Sequence, residues 1–301
     1  MTRWALAALA CLLIAVASVH RSRATFTAST SNAASFATSA DWVAPVVTLA
    51  SPADGALTNS ATPTLSGTAG TATGDGTTVT VRVYAGASAT GSPLQTLTPT
   101  RTGGSWSTTA ATLTSGTFTA QASQSDSSGN TGTSAAHTFT VDTIAPTATA
   151  VAAANGGATA GTVDAGDVIT FSYSEPIDPA SVLAGWSGAS TAVQVRVTAG
   201  VLAPDPFTVL DGSGGTTVHL GTVQTNGDYV TTTATFAATM VRSADHASVV
   251  VTLGALQSGL VSVVPVAAQN MTWTVDAAVK DLAGNAVTTT SVTESASDVD
   301  F

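Results

Sequence analysis

Charge is scarce in this sequence. Of 301 residues only 9% are Asp, Glu, Lys or Arg, against the roughly 25% of an ordinary soluble domain. Cysteine is scarcer still: Cys11 is the single one. It lies in an N-terminal apolar run, so a chain cut after that run has no disulfide, thiol nucleophile or cysteine metal site. The good helix formers Lys, Glu, Leu and Met are also few. No Gly-x-Ser-x-Gly, His-Glu-x-x-His, phosphate loop or dinucleotide fingerprint occurs, which removes the usual hydrolase, zinc and nucleotide readings.

What fills the space is Thr, Ser, Gly, Ala and Val. Thr and Val favour strands, while Gly, Asn and Asp favour turns, so the composition predicts an all-β protein. Eight basic residues stand against 18 acidic ones. Three of the eight, Arg3, Arg21 and Arg23, precede Thr25. Cleavage after Ala24 would leave five basic residues and a net charge of −13. Such a surface repels nucleic acid and anionic lipid, and its default role is solubility.

Residues 1–24 read as a signal peptide or N-terminal anchor. Arg3 is followed by an uncharged run from Trp4 to Val19, with small-x-small cleavage motifs at Ala15-Val16-Ala17 and Ser22-Arg23-Ala24. The run is short for a membrane span, so membrane contact is expected only through this segment, if it is retained. Residues 25–45 read as a linker or N-terminal strand, rich in Ala, Ser and Thr.

Beyond it, short β-branched runs recur between turn signals. In the first block these are Val47–Leu49, Thr62–Gly67, Thr78–Tyr84, Leu94–Leu97, Ser105–Thr108, Gly116–Ala122 and His137–Val141. In Thr78–Tyr84 the valines alternate with Thr and Arg, the pattern of a half-buried strand. Trp106 and Phe118 are the bulky core candidates. A second block holds Gly166–Ser174, Gln194–Val197, Thr217–Leu220, Tyr229–Phe236, Ser248–Leu253 and Met271–Val275. The spacing predicts two sandwiches, over residues 46–143 and 144–292, with an acidic tail at 293–301. The second block exceeds ~100 residues, so it is expected to carry loop insertions, at 199–216 and 221–228.

One pentapeptide pattern occurs in both blocks: Asp126-Ser-Ser-Gly-Asn130 and Asp281-Leu-Ala-Gly-Asn285. Asp can accept amide protons within the turn, Gly takes positive φ and Asn tolerates the left-handed region. Each copy is expected to be a hairpin turn leading into the last strand of its block.

These residues carry a resemblance. With Ser51-Pro-Ala-Asp-Gly55, Thr64-Leu-Ser-Gly67, Val79-Thr-Val-Arg-Val83, Gly104-Ser-Trp106 and Val141-Asp-Thr-Ile-Ala-Pro146, the first block resembles bacterial Ig-like repeats of adhesins. With Gly166-Asp-Val-Ile-Thr-Phe-Ser-Tyr-Ser-Glu-Pro-Ile-Asp178 and Asp281–Asn285, the second is similar to Ig-like domains of S-layer and other surface proteins. The stretch from Ala24 to Asn32, with Phe36, resembles the start of mature camelysin-type secreted proteins. The resemblance implies two tandem Ig-like β-sandwich domains, secreted or at the cell surface, acting as a non-catalytic spacer or adhesive module. Its partners would be cell-wall polymer, glycan or another surface protein.

Three chemical readings stand beside that one. Asp126, Asn130, Asp142, Asp281 and Asn285 offer the hard oxygen ligands of Ca²⁺, which would make the chain a calcium-stabilised adhesin fragment. No loop has the dense Asp-x-Asp-x-Asp spacing of a dedicated site, and turn Asp and Asn residues ordinarily serve their own backbone. Trp186 is the candidate for a glycan or cell-wall contact, against a packed loop tryptophan. A divergent hydrolase would need the Glu175 and Asp178 carboxylates, or Asp211-Gly-Ser213, to face a cleft; the prolines and glycines around them favour turns. His137, His219 and His246 fall on separate strands or loops, and the reading is that no cofactor is required.

Overall fold

Alternating valines build the first core. In a computed structural model of the chain, Met1–Asp41 and Trp42–Phe301 are separate units. The structure describes residues 41–200, 204–225, 227–262, 266–295, 297, 299 and 301. The expected signal or anchor segment and the camelysin-like start lie outside the described residues. Among the described residues no helix is long and apolar enough to cross a membrane.

The first region runs through β1 (Ala56–Thr58), β2 (Thr64–Thr68), β3 (Asp75–Ala85), β4 (Gln95–Leu97), β5 (Ser105–Thr109), β6 (Gly116–Asp126), β7 (Thr131–Thr133) and β8 (His137–Val141). One sheet has the order β1-β8-β6-β3-β4, with β7 on β6; β1 lies parallel to β8. The facing sheet is β2-β5, extended by the main chain of Thr48–Ser51, whose amides bond to Thr68 and Ser66. Val79, Val81 and Val83 point into the gap, all fully buried. Each contributes on the order of 1.5–3 kcal/mol relative to exposure. Trp106 closes the core, its indole N–H shared between the carbonyls of Thr68 (3.0 Å) and Thr48 (3.2 Å). Trp42, by contrast, is 83% exposed.

The second region comprises β9 (Ala148–Ala154), β10 (Val168–Tyr173), β11 (Thr191–Val197), β12 (Pro206–Asp211), β13 (Thr217–Gln224), β14 (Val230–Arg242), β15 (Ser248–Val261), β16 (Thr272–Thr274) and β17 (Ser291–Thr293), with one short helix, α1 (Pro179–Val182). The strands form one sheet in the order β17-β16-β13-β12-β11-β14-β15-β10-β9. It curls until its first and last strands come together, where the Thr288 amide donates to Pro146 O at 3.0 Å and the Ala148 amide to Thr289 Oγ1 at 3.1 Å. The curl encloses one apolar core. Trp273 sits in it with no exposed surface, edge-on to Phe171 and Tyr173, its N–H on Leu220 O. The stretches expected as insertions contain strand at 206–211 and 221–224, where β12 and β13 form an antiparallel hairpin. The first half of β13, Thr217–Leu220, is legible in the sequence, whereas β12 lies in a stretch read as loop. The architecture is all-β, with sandwich and barrel-like packing.

In the first region the repeated pentapeptide does not lead into the last strand, whereas in the second it lies in the connection between β16 and β17, the last two strands, which pair antiparallel. In the first it joins β6 to the short β7. In the second it turns between the isolated bridge partners Lys280 and Ala286, before β17.

Candidate functional site

Local chemistry explains each of the two turns. Asp126 Oδ1 accepts from the amides of Ser128 (2.9 Å) and Asn130 (2.8 Å), and Oδ2 accepts from Asn130 Nδ2 at 2.7 Å. Asp281 repeats the geometry: Oδ1 accepts from Gly284 N (2.6 Å) and Asn285 N (2.8 Å), Oδ2 from Asn285 Nδ2 (2.7 Å). Gly129 and Gly284 both hold positive φ, 89° and 98°. Hydrogen bonding, led by Asn130, keeps the Asp126 carboxyl below the usual carboxylate range.

The surroundings differ. Asp126 sits at the solvent-facing end of β6, while Asp281 is 3% exposed. Asn285 Nδ2 also donates across the link to Asp142 O at 2.8 Å. Asp142 follows β8 directly, and its amide donates to Thr58 O at 2.8 Å. The second turn is therefore wedged against the chain that joins the two regions.

Glu175 completes this junction. It follows β10 and brings a carboxylate to Asp142 and Asp281, so that one oxygen of each lies within 4.8 Å of the others. Glu175 Oε1 is buried and has no hydrogen-bond partner among the described residues. Burial first, then the charges of Asp142 and Asp281, push its carboxyl above the ordinary value. Three carboxylates this close repel one another unless a proton or a cation intervenes. A buried acceptor with no donor, among acidic oxygens, suits a hard divalent cation.

Of the five calcium candidates read from the sequence, Asp142, Asp281 and Asn285 meet here. Asp126 and Asn130 form the separate turn in the first region, satisfied by their own backbone. Glu175 is the ligand-type residue that sequence reasoning misses, because its neighbour in sequence, Asp178, is the obvious partner. Asp178 instead caps α1, accepting from Ala180 N at 3.0 Å. The one available signal is the break in alternation at Ser174-Glu175-Pro176, where β10 ends and a charged residue stays on the inward side.

The remaining candidates are dispersed. Trp186 is 7% exposed and gives its indole N–H to Ala189 O at 2.6 Å, the arrangement of a packed loop tryptophan. Ser213 Oγ donates to Asp211 Oδ1 at 2.7 Å in the β12–β13 turn. That bond first, then the Gly215 amide and the hydroxyl and amide of Thr216, lower the Asp211 carboxyl to about 2. His219 Nδ1 lies 2.8 Å from Asp276 Oδ2, and His137 Nδ1 is 2.9 Å from Pro52 O. Two surface grooves, of 330 and 220 Å³, are lined by Ser51–Thr64 residues and by the β9 and β17 edges respectively. Neither is lined by Glu175, Asp178 or Ser213.

Comparison with known proteins follows the same division. A search of curated proteins returns no match. Among solved structures, the chain is similar to the fibronectin(III)-like modules of Clostridium thermocellum CbhA, at 13% identity and a TM-score of 0.29, covering 70% of this chain and 90% of that one. Residues 48–143 match the family model of the bacterial Ig-like domain, about a third of the chain, and the first sandwich is similar to that family over this range.

Proposed function

We propose that this chain is a non-catalytic, exported module of the bacterial cell surface or exterior that acts as a stiff spacer or adhesive element. The observation that carries the reading is the junction. Asn285 Nδ2 bonds Asp142 O, Thr288 N bonds Pro146 O and Asp142 N bonds Thr58 O. A link tied from both sides within five residues has little freedom to hinge, and Pro146 removes more of it. Ig-like folds are typically non-catalytic, which agrees with this reading. The test is small-angle scattering of residues 25–301. One fixed extended particle is expected, and loosening of the scattering curve in Asn285→Ala. A freely hinged wild type would defeat the spacer reading. Fractionation of the producing cell tests export: recovery in the medium or wall supports it, recovery in the cytosol removes it.

A second reading rests on the orphaned Glu175 Oε1. Asp142, Glu175 and Asp281 would hold one Ca²⁺, whose charge offsets their repulsion and fastens the second region to the link. Thermal melts in calcium and in EDTA test it. A calcium-dependent rise present in wild type and lost in Glu175→Gln is expected; equal melts in both media contradict it.

A further inference from the structure

The larger surface groove, of 330 Å³, opens on the first region between β1 and the start of β2. That volume lies at the lower end of the small-ligand range. Two of its lining residues, Pro52 and Pro63, are buried, while Ser60, Thr62 and Thr64 are exposed at its rim. Among the described residues no charged side chain lines it, in a chain of net charge −10. Asp54, the nearest carboxylate in sequence, is engaged by the Thr138 amide at 2.9 Å. An anion would find no cation in this groove and a cation no carboxylate, so it suits a neutral ligand.

The main-chain acceptors around the groove are already used. Pro63 O takes the Ala110 amide at 3.0 Å, Thr58 O the Asp142 amide at 2.8 Å, Ala53 O the Ala56 amide at 3.1 Å and Thr64 O the Ser51 hydroxyl at 3.1 Å. An extended peptide that adds as a strand needs such groups free. The hydroxyls are the opposite case. Thr58 Oγ1 accepts from Ser60 N (3.1 Å) and Ser60 Oγ from Thr62 N (3.3 Å), and each keeps a proton to donate. The Thr62 and Thr64 hydroxyls have no protein partner among the described residues. Four hydroxyls with capacity left, beside two proline rings, match a ligand with an apolar face and a hydroxylated edge. A pyranose ring has that form.

We propose that the Pro52–Pro63 groove is a binding site for a neutral glycan, held by the hydroxyls of Thr58, Ser60, Thr62 and Thr64. The proposal rests on the adhesive form of the exported-module reading and names its ligand class. The test is a printed array of neutral and acidic glycans, probed with the full chain and with Ser60→Ala/Thr62→Ala. Wild type should bind neutral glycans and pass over acidic ones. The double variant should bind roughly tenfold more weakly with an unchanged melt, since both positions are exposed. Silence on every neutral glycan overturns the proposal, as does a preference for acidic ones or equal binding by the double variant. Should the double variant melt lower, Ala53→Leu takes its place. That exposed rim position lends no side-chain hydrogen bond, so the larger side chain only crowds the groove. Weakened binding is expected, and undiminished binding contradicts the site. A chain recovered in medium or wall, yet silent on the array, sinks the glycan site alone. A cytosolic chain that binds neutral glycan supports the site and removes export alone.

Discussion

The same five-residue turn is used twice, with two outcomes. At Asp126–Asn130 the side chains satisfy their own loop and stop there. At Asp281–Asn285 the Asn backbone and side chain bond the Asp carboxylate in the same way, but Asn285 reaches Asp142 O, and Asp281 is buried beside Glu175. The difference lies in what stands next to the turn. A pattern of residue types fixes a local conformation; tertiary neighbours decide whether that conformation becomes a joint. The two cores differ in parallel. The first packs two small sheets on a valine ladder and Trp106, whereas the second curls nine strands around Trp273, Phe171 and Tyr173.

The sharpest ways to break this comparison begin with the cores. Trp273→Ala and Trp106→Ala should each cost about 3–5 kcal/mol. Denaturation followed by probes in both regions should show each substitution weakening its own core first. Equal loss in both regions from either change would mean that they share one cooperative unit.

Next comes the pair of turns. Asp281→Ala leaves the part-buried amides of Gly284 and Asn285 without their acceptor and should cost about 1–3 kcal/mol. Asp126→Ala, at an exposed turn, should cost clearly less. Equal effects in chemical denaturation would erase the distinction between a joint and a simple turn.

Glu175→Gln should act in the opposite direction in EDTA at pH 7, raising the melting temperature by about 2–4 °C per kcal/mol of repulsion relieved. The sign follows from proton binding. The folded carboxyl titrates above its unfolded value of 4.5, so the folded state holds more protons between the two values. Wild-type stability in EDTA should fall as pH rises through that window and level off above it. Glu175→Gln should flatten this slope, which melts from pH 4 to pH 8 will measure.

Ser213→Ala should have the smallest effect. The Asp211 carboxyl, held at about 2 mainly by Ser213, contributes stability above 3.8 that is lost as pH falls through about 2. Without Ser213 Oγ its titration, read by NMR, should move up toward the usual carboxylate value while neutral-pH stability changes little.

Much of the fold was legible because alternation is a local signal. Val79, Val81 and Val83, and Ile169, Phe171 and Tyr173, announce their buried faces by period alone. β12 was not legible, since Pro206–Asp211 is bracketed by glycines and lies where a loop was expected. Phe301, fully buried, was hidden for another reason: a single aromatic after an acidic run has no period. The candidate site was half readable. Asp142, Asp281 and Asn285 come from motifs, whereas Glu175 joins them through packing of β10 against the link, a relation between positions far apart in sequence.

The central claim is that the link around Asp142–Pro146 is a fixed joint. Spin labels on cysteines placed at the exposed positions Leu94 and Leu260, one in each region, would report the distance between them by pulsed EPR. The account predicts one narrow distribution in wild type that broadens in Asn285→Ala. A broad wild-type distribution, unaltered by that substitution or by calcium, would contradict it.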